Sequence, residues 1–429
     1  VKGNAVSDIT VAATDFAGDQ GSSTLAGALQ DYRRRLKGGE IGSLPAIAGF
    51  IVLCMIFTIA KGDVFFSALN FANLIQQAAW MMILAMGITF VLLIGEIDLA
   101  AGAVMGVTSA TIFTRVKADW PIPLAILVGV AIGVVLGLIT GFLVAKVGIP
   151  SFVTTLALFL AFQGLTLKIA KEGGSIKVPD NSVLQALNAR NMSPALSWAF
   201  FVIAIGLYAA YQYRVALHRR AQGVHTVPIS LITLKVVSLG VIGLVLTFIL
   251  TRNRALPSAI KPLRGIPWIV PVIIILLTVL TFALNRTRWG RHIYAVGGNA
   301  EAARRAGIDV QRIRMSAFVM SSTIAVVAGL AYSSKLGSVT PQTGAGDELL
   351  RAVGAAVVGG TSLFGGRGKM SYAIVGALVL AGIDNGLGLI SSVGPFDVDA
   401  GFKAIITGAV LLVAGGVDAL TRRRNSAAG

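Results

Sequence analysis

The chain has 429 residues, 55% of them hydrophobic and 13% charged, with a mean hydropathy of +0.81; that balance excludes an ordinary soluble domain and marks a membrane protein. Lipid offers the backbone no hydrogen-bond partner, so spans must be helices or a closed barrel, and long apolar runs rather than period-two alternation select helices. The net charge of +17 sits beside apolar runs, where the positive-inside rule puts basic residues, and without a basic and aromatic groove motif it excludes nucleic acid as a partner.

Residues 1–43 read as a flexible tail that lacks the apolar core of a signal peptide and carries the basic patch Arg33, Arg34, Arg35 and Lys37. Apolar windows then recur at 44–60, 74–94, 97–114, 122–146, 151–169, 196–213, 230–250, 267–284, 315–333, 348–364, 371–391 and 403–419. A bilayer core needs about 20 helical residues, so the glycine-broken windows 97–114 and 348–364 are candidates for re-entrant or discontinuous helices. The fold class is therefore all-α, a polytopic bundle of about 10–12 helices across residues 44–421, followed by a short tail at 422–429. Cys54, the sole cysteine, lies in the first window, which excludes an internal disulfide and a thiolate metal cluster and leaves a packing role.

If the tail with Arg33–Lys37 is cytoplasmic, an even number of crossings returns Arg422, Arg423 and Arg424 to the same side, so both termini are cytoplasmic. The same count puts inside the loop with Arg214, Arg219 and Arg220 and the basic loop at about 285–314, with Arg286, Arg288, Arg291, Arg304, Arg305, Arg312 and Arg314. It leaves Arg252, Arg254, Lys261 and Arg264 outside, against the rule.

Within the fourth window, Gly129, Gly133, Gly137 and Gly141 recur every fourth residue on one helix face, which lets a neighbouring backbone approach closely and predicts helix packing. The stretch "LLIGEIDLAAGAVMG" at 92–106 places Glu96 and Asp98 at the join of two windows. Two readings stand there: a loop in headgroup water whose acids cap the next helix, or a discontinuous helix whose acids face a water-filled route, with Asp384 the other candidate in a proton relay.

The basic loop holds "GGNAEAARRAGIDVQ" at 297–311, a water-soluble helix of about two turns in a membrane protein. Asn299 can cap its first turn, Glu301 sits at the positive end of the helix dipole, and Gly307 suits a left-handed stop. The glycine-rich "VVGGTSLFGGRGKM" at 357–370 fails as a phosphate loop, because Leu363 and Met370 occupy the positions of its first glycine and its hydroxyl residue. His218, His225 and His292 lie in basic loops without metal-ligand spacing. No nucleophile, acid–base pair or cofactor motif supports an enzyme.

Three of these stretches, "GEIDLAAG" at 95–102, "GRHIYAVGGNAEAARRAGIDVQRIR" at 290–314 and "VVGGTSLFGGRGK" at 357–369, resemble the membrane permease subunits of bacterial carbohydrate-uptake ABC transporters. The resemblance runs from about 44 to 421, and the added windows around 196–250 look most like the xylose permeases. The serine usual after "EIDL" is Ala100 here, and Phe364 stands where a small residue is more common; both departures fall near the region of a sugar route. The resemblance implies a multi-pass inner-membrane protein of the ABC importer permease fold. It also implies a homodimer, a cytoplasmic ABC ATPase subunit, an extracytoplasmic sugar-binding protein, and no cofactor of its own.

It further implies that Asn299–Gly307 is a coupling helix that docks on the ATPase, with Ala302, Ala303 and Ala306 as a smooth face and Glu301, Arg304 and Arg305 at its rim. The other reading of this loop is a basic anchor to anionic lipid. For the translocation path the polar candidates are Asn70, Asn73, Gln76, Gln77, Gln163 and Asn385, with Glu96 and Asp98. The rivals are an ion-coupled secondary transporter using Glu96 or Asp98, and an ABC permease for branched-chain amino acids or another small solute.

Overall fold

Each of the twelve apolar windows forms a helix in the computed structural model, which describes residues 42–171, 174–180, 182–222, 228–255, 262–390 and 399–427. The expected tail at 1–43 lies almost wholly outside them. In chain order the helices are α1 (Leu44–Lys61), α2 (Ala68–Leu93), α3 (Ala101–Lys117), α4 (Ile122–Phe142), α5 (Ser151–Ala170), α6 (Val183–Ala189), α7 (Pro194–Ala221) and α8 (Ile229–Thr251). Then come α9 (Ile269–Arg286), α10 (Arg288–Gly298), α11 (Ala300–Arg305), α12 (Val310–Leu336), α13 (Glu348–Val358), α14 (Met370–Ile390) and α15 (Ala400–Ala427). Two strand fragments, β1 (Ile176–Lys177) and β2 (Ser338–Val339), pair antiparallel with Ile176 opposite Val339.

Among the described residues nine helices are long and apolar enough to cross a bilayer. The two glycine-broken windows become α3 and α13, of 17 and 11 residues; at 1.5 Å per residue both fall short of a core about 30 Å thick. The last helix runs on to Ala427, so residues 422–427 continue it and are not a separate tail.

The chain divides into two compact units. The described part of one is residues 198–222 and 228–246, two antiparallel helix stretches in which the Tyr213 and Thr233 hydroxyls share a hydrogen bond of 2.7 Å and the Phe201 ring lies against Gly243. Its side chains, such as Val202, Leu207, Val237 and Ile242, are exposed and apolar, as a lipid-facing hairpin requires.

The other unit, Ile41–Ser197 with Thr247–Gly429, is built around α2, of whose apolar window 89% is buried, against 11% for α1. Helices α12, α13 and α14 pack against α2. Helix α4 crosses α12 along the predicted glycine stripe: a Cβ on Gly133 would meet Val326, one on Gly137 the Val319 Cα at 2.7 Å, and one on Gly141 the Met315 Cα at 2.9 Å. Gly129 faces the tip of Ile112 instead. Small residues thus replace side-chain volume with backbone contact, the main source of helix adhesion where lipid removes the hydrophobic drive.

The residues that break the positive-inside rule are partly sequestered. Arg254 is buried, and its guanidinium donates to the Leu250 carbonyl at the end of α8 and to the Gly265 carbonyl at 3.1 Å. Arg252 lies 4.5 Å over the Phe248 ring. Lys261 lies outside the described residues.

Candidate coupling element and polar route

Helix α10 is amphipathic, and its inward face seats the basic loop on the bundle. Thr287 caps it by accepting from the Gly290 amide at 3.1 Å, and Gly290, Ile293 and Val296 are buried. The Trp289 indole donates to Ser316 Oγ on α12 at 2.7 Å, while its ring lies 5.2 Å from that of Phe90 on α2. Tyr294 donates to the Gly368 carbonyl at 2.7 Å; burial pushes its phenol up to about 12, so it stays a neutral donor at physiological pH.

Next comes the two-turn helix α11, with the start and stop its sequence predicts. Asn299 Oδ1 accepts from the Ala302 amide at 2.9 Å. At the other end Gly307 has φ +83°, and the Ile308 and Gly307 amides donate to the Ala303 and Arg304 carbonyls, each at 3.0 Å. These are the paired bonds of a Schellman stop, and the left-handed residue between them is one that a side chain rarely tolerates. Asp309 then caps α12, accepting from the Arg312 amide at 3.0 Å.

Ala303 is buried against the chain itself, so the smooth face expected from Ala302, Ala303 and Ala306 loses its middle member. What α11 exposes is Glu301, Ala302, Arg304, Arg305, Ala306 and Gly307. Glu301 pairs with Arg304 at 2.9 Å and with Arg305 at 3.3 Å. All three side chains are exposed, so the pairs add little stability and remain free to exchange partners.

The three motifs, far apart in sequence, meet beside this element. A Cβ on Gly297 would lie 1.7 Å from the Leu93 carbonyl oxygen and 2.7 Å from the Gly366 amide, and that amide donates to the same carbonyl at 2.8 Å. A Cβ on Gly365 would meet the Gly297 carbonyl at 2.7 Å and the Gly95 amide at 2.9 Å. Glu96 pairs with Arg314 at 3.4 Å. The glycines of all three segments therefore let α10, the end of α2 and the loop between α13 and α14 touch backbone to backbone.

Asp98 caps the next helix, as the first reading expects, but it is buried inside the protein and not set in a water-exposed loop. Its Oδ1 accepts from the Ala100 and Ala101 amides at 3.0 and 3.2 Å at the start of α3, and its Oδ2 accepts from Ser321 Oγ at 2.8 Å. The buried carboxylate is thus held by three donors and the positive end of a helix. Asp384, the expected relay partner, pairs with Arg351 instead. Ala100, in the serine position, is buried beside Asp98, and Phe364 is exposed.

The expected path residues separate into three groups. Asn70 is tied to the start of α2, where its Nδ2 donates to the Phe65 carbonyl at 2.9 Å. Gln163 is half-buried on α5, which packs on α3, and no hydrogen bond among the described residues joins it to the others. Gln76, Gln77 and Asn385 do come together with residues of other helices, and Asn73 lies half-buried one turn before Gln77 on α2. Gln76 Oε1 accepts from Lys335 Nζ at 2.9 Å, and Gln77 Oε1 from Asn385 Nδ2 at 3.2 Å.

Sequence reasoning missed their neighbours. Trp80 packs edge-on to Tyr332 with centroids 5.1 Å apart, Tyr332 donates to Glu348 Oε1 at 2.6 Å, and Arg351 bonds Asp347 and Asp384. Asn188 on α6 closes the group, donating through Nδ2 to the Gln76 and Ala331 carbonyls, each at 3.0 Å. The available signal was a charge at the edge of an apolar window, as at Lys335, Glu348 and Arg351, which reads equally well as the end of a span. Of the histidines, His218 faces Gln222 at 3.2 Å and His225 lies outside the described residues. Among the described residues no cluster of His, Cys, Asp and Glu could hold a metal.

A family model described as the branched-chain amino acid transport system / permease component matches residues 70–415. The xylose transport system permease protein of Escherichia coli K12 is 35% identical over 395 residues, 91% of this chain and 95% of the relative. That of Haemophilus influenzae is 30% identical over 396 residues, 91% and 99%. The ribose import permease protein of Bacillus subtilis is 29% identical over 387 residues, 90% and 96%. No solved structure matches the chain. With its all-helical, multi-pass architecture, the chain belongs to the family of membrane permease subunits of bacterial carbohydrate-uptake ABC transporters, of the ribose/xylose type, whose work is transport and not catalysis.

Proposed function

We propose that this chain forms the translocation path of an ATP-driven importer for a monosaccharide, D-xylose or a related pentose or hexose, and receives its driving motion from a separate cytoplasmic ATPase. The observation that carries the coupling half is α11. It is capped at both ends, it presents mostly exposed residues, and half-buried contacts of Trp289, Tyr294 and Gly297 tie it to α2, α12 and the glycine-rich loop. A short rigid knob fixed in this way can pass a rigid-body displacement into the bundle. The choice of xylose rests on the relatives from Escherichia coli and Haemophilus influenzae and on the added apolar windows around 196–250.

In this reading α11 and both termini face the cytoplasm of a bacterial inner membrane, a secreted sugar-binding protein docks on the opposite face, and two copies of the chain enclose the route. The stacked group of Gln76, Gln77 and Asn385 lines that route, and Asp98 and Asn70 support helix starts. The ion-coupled alternative is less favoured: the relatives are permease components of sugar transport systems, and Asp98 and Glu96 are engaged at a helix start and with Arg314. Reconstitution of the chain in liposomes with the ATPase and binding protein encoded beside it tests the reading. Uptake of labelled D-xylose should require ATP and survive collapse of the proton and sodium gradients; uptake by the chain alone, driven by a gradient, would overturn it.

A further inference from the structure

Three buried acceptor atoms near the Trp80–Tyr332 pair have no partner: Glu348 Oε2, Asp384 Oδ1 and Asn385 Oδ1. Glu348 and Asn385 are only 7% and 8% exposed, and a buried acceptor without a donor is costly enough to be uncommon. They belong to one set of helices. Helix α2 packs against α12, α13 and α14, and α13 packs against α14. Glu348 and Arg351 lie one turn apart on α13, and Arg351 bonds Asp384, the residue beside Asn385 on α14.

Existing bonds occupy only part of each side chain. Tyr332 takes Glu348 Oε1, Arg351 takes Asp384 Oδ2, and Asn385 gives one of its two amide hydrogens to Gln77. Three acceptor oxygens are left without any partner. A ligand that pairs with them must bring donors. An anion is repelled by the two carboxylates, and a metal cation is disfavoured by the guanidinium already between Asp347 and Asp384. A neutral molecule with several hydroxyl groups meets both conditions, and the aromatic pair gives it an apolar wall against which to rest.

Resting on the sugar-transport reading, we infer that Glu348, Asp384 and Asn385 form a subsite that reads the hydroxyl groups of the passing sugar, with Trp80 and Tyr332 as its wall. Such a subsite gives the permease a selectivity of its own, after capture by the binding protein. It is a transit site. Few donors and acceptors are fully matched before the sugar arrives, and the orphaned atoms favour entry without building a deep well.

The test compares the complete reconstituted transporter with its Glu348→Gln and Asn385→Leu variants, using labelled D-xylose and each of its monodeoxy analogues. Selection by the binding protein is common to all three and cancels in the ratio of deoxy to parent uptake, as does any loss of folded protein. For at least one analogue the wild type should discriminate about tenfold, the effect of one hydrogen bond to an ionised acceptor, and Glu348→Gln should lose that discrimination; Asn385→Leu should flatten the ratio for a different analogue. Identical ratios in the wild type and both variants, with ATP-driven uptake intact, would overturn the subsite alone. Absence of ATP-driven sugar uptake by the wild type would overturn the transport reading, and the subsite with it.

Discussion

Gly297 and Gly298 are neighbours in α10 with opposite surroundings, and replacing each by alanine isolates the contact that joins the coupling element to the bundle. A Cβ at 297 would stand 1.7 Å from the Leu93 carbonyl oxygen, half the 3.4 Å at which ordinary contact begins, whereas one at 298 meets nothing within 4 Å. Both substitutions gain the same helix propensity, up to about 1 kcal/mol, so that benefit cancels in the comparison. What remains at 297 is overpacking, about 1–3 kcal/mol, and loss of the Gly366 to Leu93 hydrogen bond, about 0.5–1.5 kcal/mol. Gly297→Ala should therefore be worse than Gly298→Ala by about 2–4 kcal/mol, concentrated where α10, α2 and the glycine-rich loop touch. Clashing atoms here are backbone, so no rotamer change relieves them. In reconstituted transporter, Gly297→Ala should insert into the membrane but lower binding-protein-stimulated ATP hydrolysis and sugar uptake together by at least tenfold, while Gly298→Ala stays near the wild type. Equal activity in the two variants would refute the claim that this contact transmits motion.

Three further outcomes are expected. Gly137→Ala, which meets the Val319 Cα at 2.7 Å, should destabilise the α4–α12 contact by about 1–3 kcal/mol, whereas Gly129→Ala meets only the flexible tip of Ile112 and should be milder by about 1 kcal/mol or more; thermal inactivation of the two proteins in detergent compares them. Asn299→Ala removes the cap of α11 at a cost of about 1 kcal/mol, enough to fray a helix of six residues. Stimulated ATP hydrolysis should fall, with Asn299→Asp restoring it, and an unaffected Ala variant would argue for the lipid-anchor reading of this loop. Arg254→Met leaves the Gly265 carbonyl without its donor and the Leu250 carbonyl with the Gly265 amide alone and should lower stability by about 1–3 kcal/mol, seen as protease cleavage between α8 and α9; resistance equal to the wild type would show that the arginine is dispensable there.

Local signals carried most of the architecture. Each apolar window located a helix, nine of them among the described residues long and apolar enough to cross a bilayer, because a backbone in lipid must satisfy itself within one segment whatever its neighbours do. The two windows interrupted by glycine became the two short helices. Asn299, Gly307 and Asp309 act on amides and carbonyls within a few residues of themselves, so the start and stop of α11 and the start of α12 were also legible, and a four-residue glycine period was enough to mark one face of α4. The side on which a residue faces was less so. Ala303 turned inward although its alanine neighbours are exposed, since the tilt of a six-residue helix is set by the elements at its ends.

Sequence alone thus established the all-helical class, the approximate places of the apolar helices, and which of its family's motifs this permease carries; it did not show α6, α10 or the two strand fragments. Only the tertiary structure decided that Glu96 and Asp98 are bound to Arg314 and to a helix start, and that Asp384 belongs with Arg351 rather than with either of them. It also brought together Gln77 and Asn385, which are 308 positions apart, and Gln76 and Lys335, which are 259 apart. A polar residue in an apolar window reports a cost but not a partner. That partner depends on which helices pack and at what rotation, and both follow from shape and small-residue contacts summed over the whole bundle.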